Sequence, residues 1–151
     1  MKTLIEIVDE IIRYGLGIGR GEVDKERALE ESLIQLYAIY FRIEFEFDEK
    51  EYPDFDKKFF PHVIDHVKEN FPNFGMYYTV LNLSDVGEEA EIGIGDAIDD
   101  LSDIIYDLLE LKWKYEHNSE ADAAWFFSMI FPSHTQQHLL DLLNFMKSNK
   151  S

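Results

Sequence analysis

The chain has 151 residues, 46% of them hydrophobic and 15% aromatic, which suits one domain with one sizeable core and argues against disorder. Its 14 basic and 31 acidic residues give a net charge of −17, which weighs against phosphate contacts with nucleic acid and against an anionic membrane surface. The same charge suits a divalent cation or a basic protein partner, and the absence of cysteine removes disulfides, thiolate metal sites and thiol nucleophiles.

Thr3 to Tyr14 reads as an amphipathic helix, with Leu4, Ile5, Val8, Ile11 and Ile12 at helical spacing. Glu6, Asp9 and Glu10 interrupt its apolar pattern, so it is not read as a signal peptide. The glycines of Gly15 to Gly21 predict a linker. They follow a helix rather than a strand, which denies them the context of a dinucleotide-binding turn.

Asp24 is placed to cap a second helix, in which Ala28, Leu29, Leu33, Leu36, Tyr37 and Tyr40 keep the period to about Ile43. Phe45 and Phe47 alternate with acids, read as a helix end entering a loop, with a short strand as the other reading. Phe59, Phe60, Val63, Ile64 and Val67 predict a third helix, with Pro61 in its first turn. Pro72 to Gly75 breaks it. Met76 to Leu83 is aromatic and β-rich, and residues 84–95 read as an acidic loop.

A long helix is predicted from about Asp96 to Glu116, and one face of it carries Asp96, Asp99, Asp100, Asp103 and Asp107. Ile98, Leu101, Ile105 and Leu108 fall roughly opposite, as a core face. Carboxylates so close repel, so the stripe calls for solvent, a cation or a basic partner. No Lys or Arg occurs from Glu69 to Leu111. Downstream, Ser119 with Asp122 opens a helix through Trp125 to Ile130, which Pro132 is expected to end. Ser133 with Gln136 then matches a capping box for the last helix, driven by Leu139, Leu140, Leu142, Leu143 and Phe145. These elements predict an all-α fold: a single-domain bundle of about five or six helices over residues 1–151, soluble and cytoplasmic.

Three constellations carry chemistry. Asp99, Asp100, Asp103 and Asp107 form a surface for a basic partner. Asp99 and Asp103, one turn apart, could instead share a divalent cation with His134 and His138, whose four-residue spacing puts both imidazoles on one face. If either histidine meets the stripe, the pair is equally a polar link that fixes helix register. The Trp125 to Phe131 run reads as core, or as a surface for self-association. No serine-nucleophile motif appears, and no catalytic residue is assigned.

Glu26, Glu30 and Glu31, taken with Asp99, Asp100 and Asp103, loosely resemble the paired acidic helices of all-helical nucleotide pyrophosphohydrolases of the MazG type. Gly95-Asp96-Ala97-Ile98-Asp99-Asp100-Leu101-Ser102-Asp103-Ile104-Ile105-Tyr106-Asp107-Leu108 resembles the GDxxDDLxDIYxDL segment of the bacterial DUF5063 family. Ala124 to Phe127 and Phe131 to Leu139 are similar to two further stretches of that family, with Thr135-Gln136 standing where it has Trp-Gly. The resemblance implies an all-helical fold and no particular reaction. It also implies that Asp99, Asp100, Asp103, Trp125, His134 and His138 form one constellation.

The leading functional expectation is therefore a non-enzymatic, immunity-like or regulatory protein that docks a basic partner through its Asp-rich helix. The alternatives are a metal-dependent nucleotide or phosphoester hydrolase and a self-associating structural protein.

Overall fold

The computed structural model describes residues 1–17 and 24–149. Six α-helices and one two-stranded antiparallel sheet make up the regular structure among them: α1 (Lys2–Leu16), α2 (Lys25–Tyr40), α3 (Val63–Asn70), β1 (Met76–Val80), β2 (Ile92–Asp96), α4 (Ala97–His117), α5 (Glu120–Ile130) and α6 (Gln136–Ser148). The fold is thus mostly helical, and the hairpin is a correction to the all-α expectation. Most of the predicted glycine linker lies outside the described residues.

Helix α4 is the axis of the molecule. It packs against α1, α3, α5 and α6, and β2 runs directly into its N-terminus. Ala97, Ile98, Leu101, Ile104, Ile105, Leu108, Leu109 and Leu111 are all buried, so apolar residues cover far more of its circumference than a single core stripe. Leu4, Val8 and Ile11 of α1, Leu29, Leu33 and Leu36 of α2, and Leu139 and Leu142 of α6 close the same core. Gly15 lies so near Ile105 that a Cβ there would overlap the isoleucine side chain. The missing side chain lets the end of α1 press against α4. No helix of the described residues is long and apolar enough to cross a membrane.

Local chemistry explains most boundaries. Asp24 Oδ1 accepts from Arg27 N at 3.2 Å, Asp96 Oδ1 from Ile98 N at 2.9 Å and Ser119 Oγ from Asp122 N at 2.9 Å, each satisfying an amide that the first helical turn leaves free. The third helix starts later than expected. Lys57–Phe59 forms a separate 3₁₀ turn, and α3 begins only after Pro61 and His62. Proline disfavours helical backbone at Phe60, and His62 adopts φ 69°, a left-handed conformation that cannot continue a right-handed helix.

Residues 44–52 form neither a strand nor a helix. They lie along α5, where Phe45 and Phe47 meet the Trp125 ring at centroid distances of 5.7 and 5.1 Å. Asp48 fastens the segment, accepting from Tyr52 Oη at 2.6 Å and from Ser119 Oγ at 2.7 Å. Those bonds hold the Asp48 carboxyl below its ordinary range. Within the aromatic run Phe127 and Phe131 are buried, Trp125 and Phe126 are half-buried, and Met129 is exposed.

The hairpin pairs Tyr77 with Gly95, Tyr78 with Ile94 and Val80 with Ile92. Asn82 closes its loop, donating to the Glu89 carbonyl at 2.9 Å and accepting from Glu91 N at 2.8 Å. Its base is joined to α4 by a bond from Ala97 N to the Gly75 carbonyl at 3.0 Å.

The junction of α5 and α6 departs most from expectation. Pro132 does not end the helical path. Residues Phe131–Thr135 form one turn of π-helix, with Gln136 N donating to the Phe131 carbonyl, and the chain passes into α6. Pro132 has no amide to give the Ser128 carbonyl, so the regular ladder cannot continue there. Ser133 Oγ donates instead to the Met129 carbonyl at 2.6 Å. Ser133 is therefore no N-cap, and α6 starts with no side-chain cap at all.

Candidate functional site

The Asp-bearing side of α4 does not face open water along its length. The π-turn, α6 and the hairpin cover it. Asp100 is 5% exposed. Its Oδ2 accepts a short hydrogen bond from Tyr77 Oη, and its Oδ1 lies 2.8 Å from His138 Nδ1. Two turns on, Asp107 Oδ2 accepts from Thr135 Oγ1 at 2.7 Å and lies 2.7 Å from His134 Nδ1. Asp103 stands between them, with its Oδ2 3.3 Å from His138 Nε2. The two imidazole rings meet edge to face, 4.7 Å between centroids.

The π-turn and Gly95 make this arrangement. The π-turn carries His134 and Thr135 onto Asp107, and His138 follows one helical turn later over Asp100 and Asp103. In the sheet, the Tyr77 ring lies so close across Gly95 that a Cβ there would overlap it. Glycine is thus what lets the tyrosine cross β2 and reach Asp100.

An ionised carboxylate can only accept hydrogen bonds. With Asp100 and Asp107 ionised and the rings neutral, each histidine carries its proton on Nδ1, and Nε2 is then the nitrogen able to coordinate. This is the carboxylate–histidine arrangement that orients metal ligands. The side chains of Asp103, His134 and His138 each offer one ligand atom, and the three atoms lie within 4.8 Å of one another. Among the described residues this is the cluster of three or more side chains able to hold a metal ion.

The electrostatics agree with a crowded polar seam. The bond to Asp100 pushes the His138 pKa up against the opposing effect of burial, with Asp103, Asp100 and Asp107 adding to the rise. Burial raises the Asp107 carboxyl above its ordinary range, although the bonds from His134 and Thr135 pull it down. Burial, and then the bond to Asp100, raise the Tyr77 phenol. Asp99 rises through burial and then through repulsion from Asp96, Asp103 and Asp100.

The residues singled out from sequence are therefore divided. Asp103, His134 and His138 converge. Asp99 is exposed and outside the cluster, and Asp96 is occupied as a cap. Asp100 and Asp107 are turned inward onto histidines, whereas Asp99 and Asp103 keep a side open to solvent. Trp125 packs against Phe45 and Phe47 rather than joining the histidines. Glu26, Glu30 and Glu31 of α2 do not enter the cluster, and Glu31 lies beside Arg27 in solvent. Tyr77 and Thr135 were missed. Nothing in their local pattern marks them, because each gains its role only from a partner more than twenty residues away.

No protein-family model, curated protein or solved structure matches this chain.

The substitution Tyr77→Phe removes one donor from a carboxylate held almost out of water. It should destabilise the fold by about 1–3 kcal/mol, the cost of leaving a buried acceptor short of a partner. Chemical denaturation of the two proteins measures it, and equal midpoints would show that Asp100 does not need the phenol.

Proposed function

We propose that the protein is a non-enzymatic binding protein built around a divalent transition-metal site, with His134, His138 and Asp103 as ligands and Asp107 and Asp100 orienting the two rings. The observation that carries this reading is that each histidine has its Nδ1 engaged by a carboxylate while Asp103 stands beside them. Bonds of about 2.0–2.1 Å in tetrahedral geometry put two ligand atoms about 3.3–3.4 Å apart. The His138 Nε2 to Asp103 Oδ2 separation is 3.3 Å, the edge such a site requires. His134 has to close by a small rotation, and its side chain is open enough to solvent to make one.

Two imidazoles and one carboxylate suit zinc and its first-row neighbours far better than magnesium or calcium, which take oxygen. Calorimetric titration should show one zinc per chain, bound much more tightly than magnesium. Equal weak responses to both ions would reduce the cluster to a polar seam between helices.

A second reading, metal-dependent hydrolysis of a phosphoester, has one observation in its favour. Three protein ligands leave a fourth position for water. Against it, the absence of Lys and Arg from Glu69 to Leu111 leaves the hairpin and the Asp-bearing part of α4 without a cation of their own to hold a phosphate. Release of phosphate from a generic aryl phosphate by the zinc-loaded protein, lost in His138→Ala, would favour this second reading.

A further inference from the structure

The hairpin has its patterning reversed. Met76, Tyr78 and Val80 of β1 and Ile92 and Ile94 of β2 share the face that points away from the body, and Tyr78 is 82% and Ile94 67% exposed. The face toward the body carries Tyr77 and Thr79 with two glycines, Gly93 and Gly95. A sheet covered on one side normally puts its apolar residues on that side and its polar residues in water. Here the large apolar side chains face water, and two more, Leu83 and Val86, stand exposed at the hairpin tip. A contiguous apolar face of this kind marks an interaction surface.

Charge selects the occupant. Asp85, Glu88, Glu89 and Glu91 rim the tip, within the stretch that lacks Lys and Arg. Beside β1, a cavity of about 470 Å³ runs between the hairpin and α6, lined by Tyr77, Thr79 and Leu83 on one side and by Gln137, Asp141 and Asn144 on the other. Burial holds the Asp141 carboxyl above its ordinary range, a cost that a bound cation would relieve. In a symmetric contact between two copies the same patch meets itself, so acid would face acid. An anionic membrane would be repelled by the same rim.

We propose that this face and groove dock a cationic, amphipathic polypeptide segment, its apolar side chains on Tyr78 and Ile94 and its cations on the acidic rim and Asp141. This goes beyond the metal site and does not depend on it. It moves the docking surface expected on the Asp-rich helix to the hairpin beside it.

The test is fluorescence anisotropy with a labelled amphipathic lysine–leucine peptide and a scrambled peptide of identical composition. The ordered peptide should bind at least about tenfold more tightly than the scrambled one, and high salt should weaken it. The double variant Tyr78→Ser, Ile94→Ser should lose at least about tenfold in affinity. Both positions are exposed, so the helical circular dichroism should not change. If that variant nevertheless misfolds, Leu83→Ser with Val86→Ser at the loop tip serves instead, with the same expected loss. No binding, equal binding of the two peptides, or full binding by a folded variant would overturn the proposal. A dimer in light scattering that the double variant dissolves would overturn it in favour of a second copy. His134→Ala with His138→Ala should retain peptide binding, so failure here and failure of the metal site are separately visible.

Discussion

Alanine at His138 is expected to lower zinc affinity by more than about 100-fold, because loss of an oriented ligand should exceed the 10–100-fold cost of losing the group that orients one. The orienting effect is separable. The substitution Asp100→Asn keeps a similar shape but removes the charge that fixes the His138 proton on Nδ1, and its expected cost is about 10–100-fold. His134→Ala should resemble His138→Ala, and Asp107→Asn should resemble Asp100→Asn. Asp99→Asn is the control, since Asp99 stands outside the cluster and should leave zinc affinity unchanged. Calorimetry on these variants gives the ranking. An Asp99→Asn variant as impaired as His138→Ala would point to a site on the exposed acids instead.

The substitution Phe131→Ala carries the largest expected loss of stability, about 3–5 kcal/mol, as for a phenylalanine removed from a packed core. Phe131 is fully buried. Its ring stacks on Tyr40 at 4.5 Å and meets Tyr37 edge-on at 5.5 Å, with Phe127 also at 5.5 Å. Phe131 is also the first residue of the π-turn, and its carbonyl accepts the bond from Gln136 N. The cavity should therefore loosen the turn that presents His134, and zinc affinity should fall along with the denaturation midpoint. A variant destabilised as expected but binding zinc normally would show that the π-turn holds its shape without the ring.

The helices were legible because each rests on local chemistry: apolar periodicity in α1, α2, α4 and α6, and oxygen caps at Asp24, Asp96 and Ser119. The hairpin was not. In Ile92-Gly93-Ile94-Gly95 the alternation is present, but glycine is depleted in strands and the apolar residues face outward, against the pattern by which a strand is recognised. Pro132 misled for a related reason. The usual consequence of a proline is a helix end, and here the Ser133 hydroxyl satisfies the Met129 carbonyl while the chain continues through a π-turn.

The site was half legible. Spacing alone could place His134 and His138 on one face and Asp99, Asp100, Asp103 and Asp107 on another. It could not say that the Asp face is a seam between helices, because that depends on α6 and the hairpin crossing α4. The clue lay in the apolar content of α4, which is too broad for a helix with one open side. Once the seam closes, the stripe separates into three kinds of carboxylate: Asp100 and Asp107 bonded to imidazoles, Asp103 beside them with a free side, and Asp99 in solvent.

The central claim is that His134, His138 and Asp103 take one transition-metal ion. An anomalous difference map from a crystal grown with zinc tests it most directly. The expected result is a single strong peak about 2.0–2.2 Å from Nε2 of both histidines and from an Asp103 oxygen, with Asp100 and Asp107 still on the Nδ1 atoms. Peaks confined to exposed carboxylates such as Asp99, or no peak between the two histidines at saturating zinc, would contradict it.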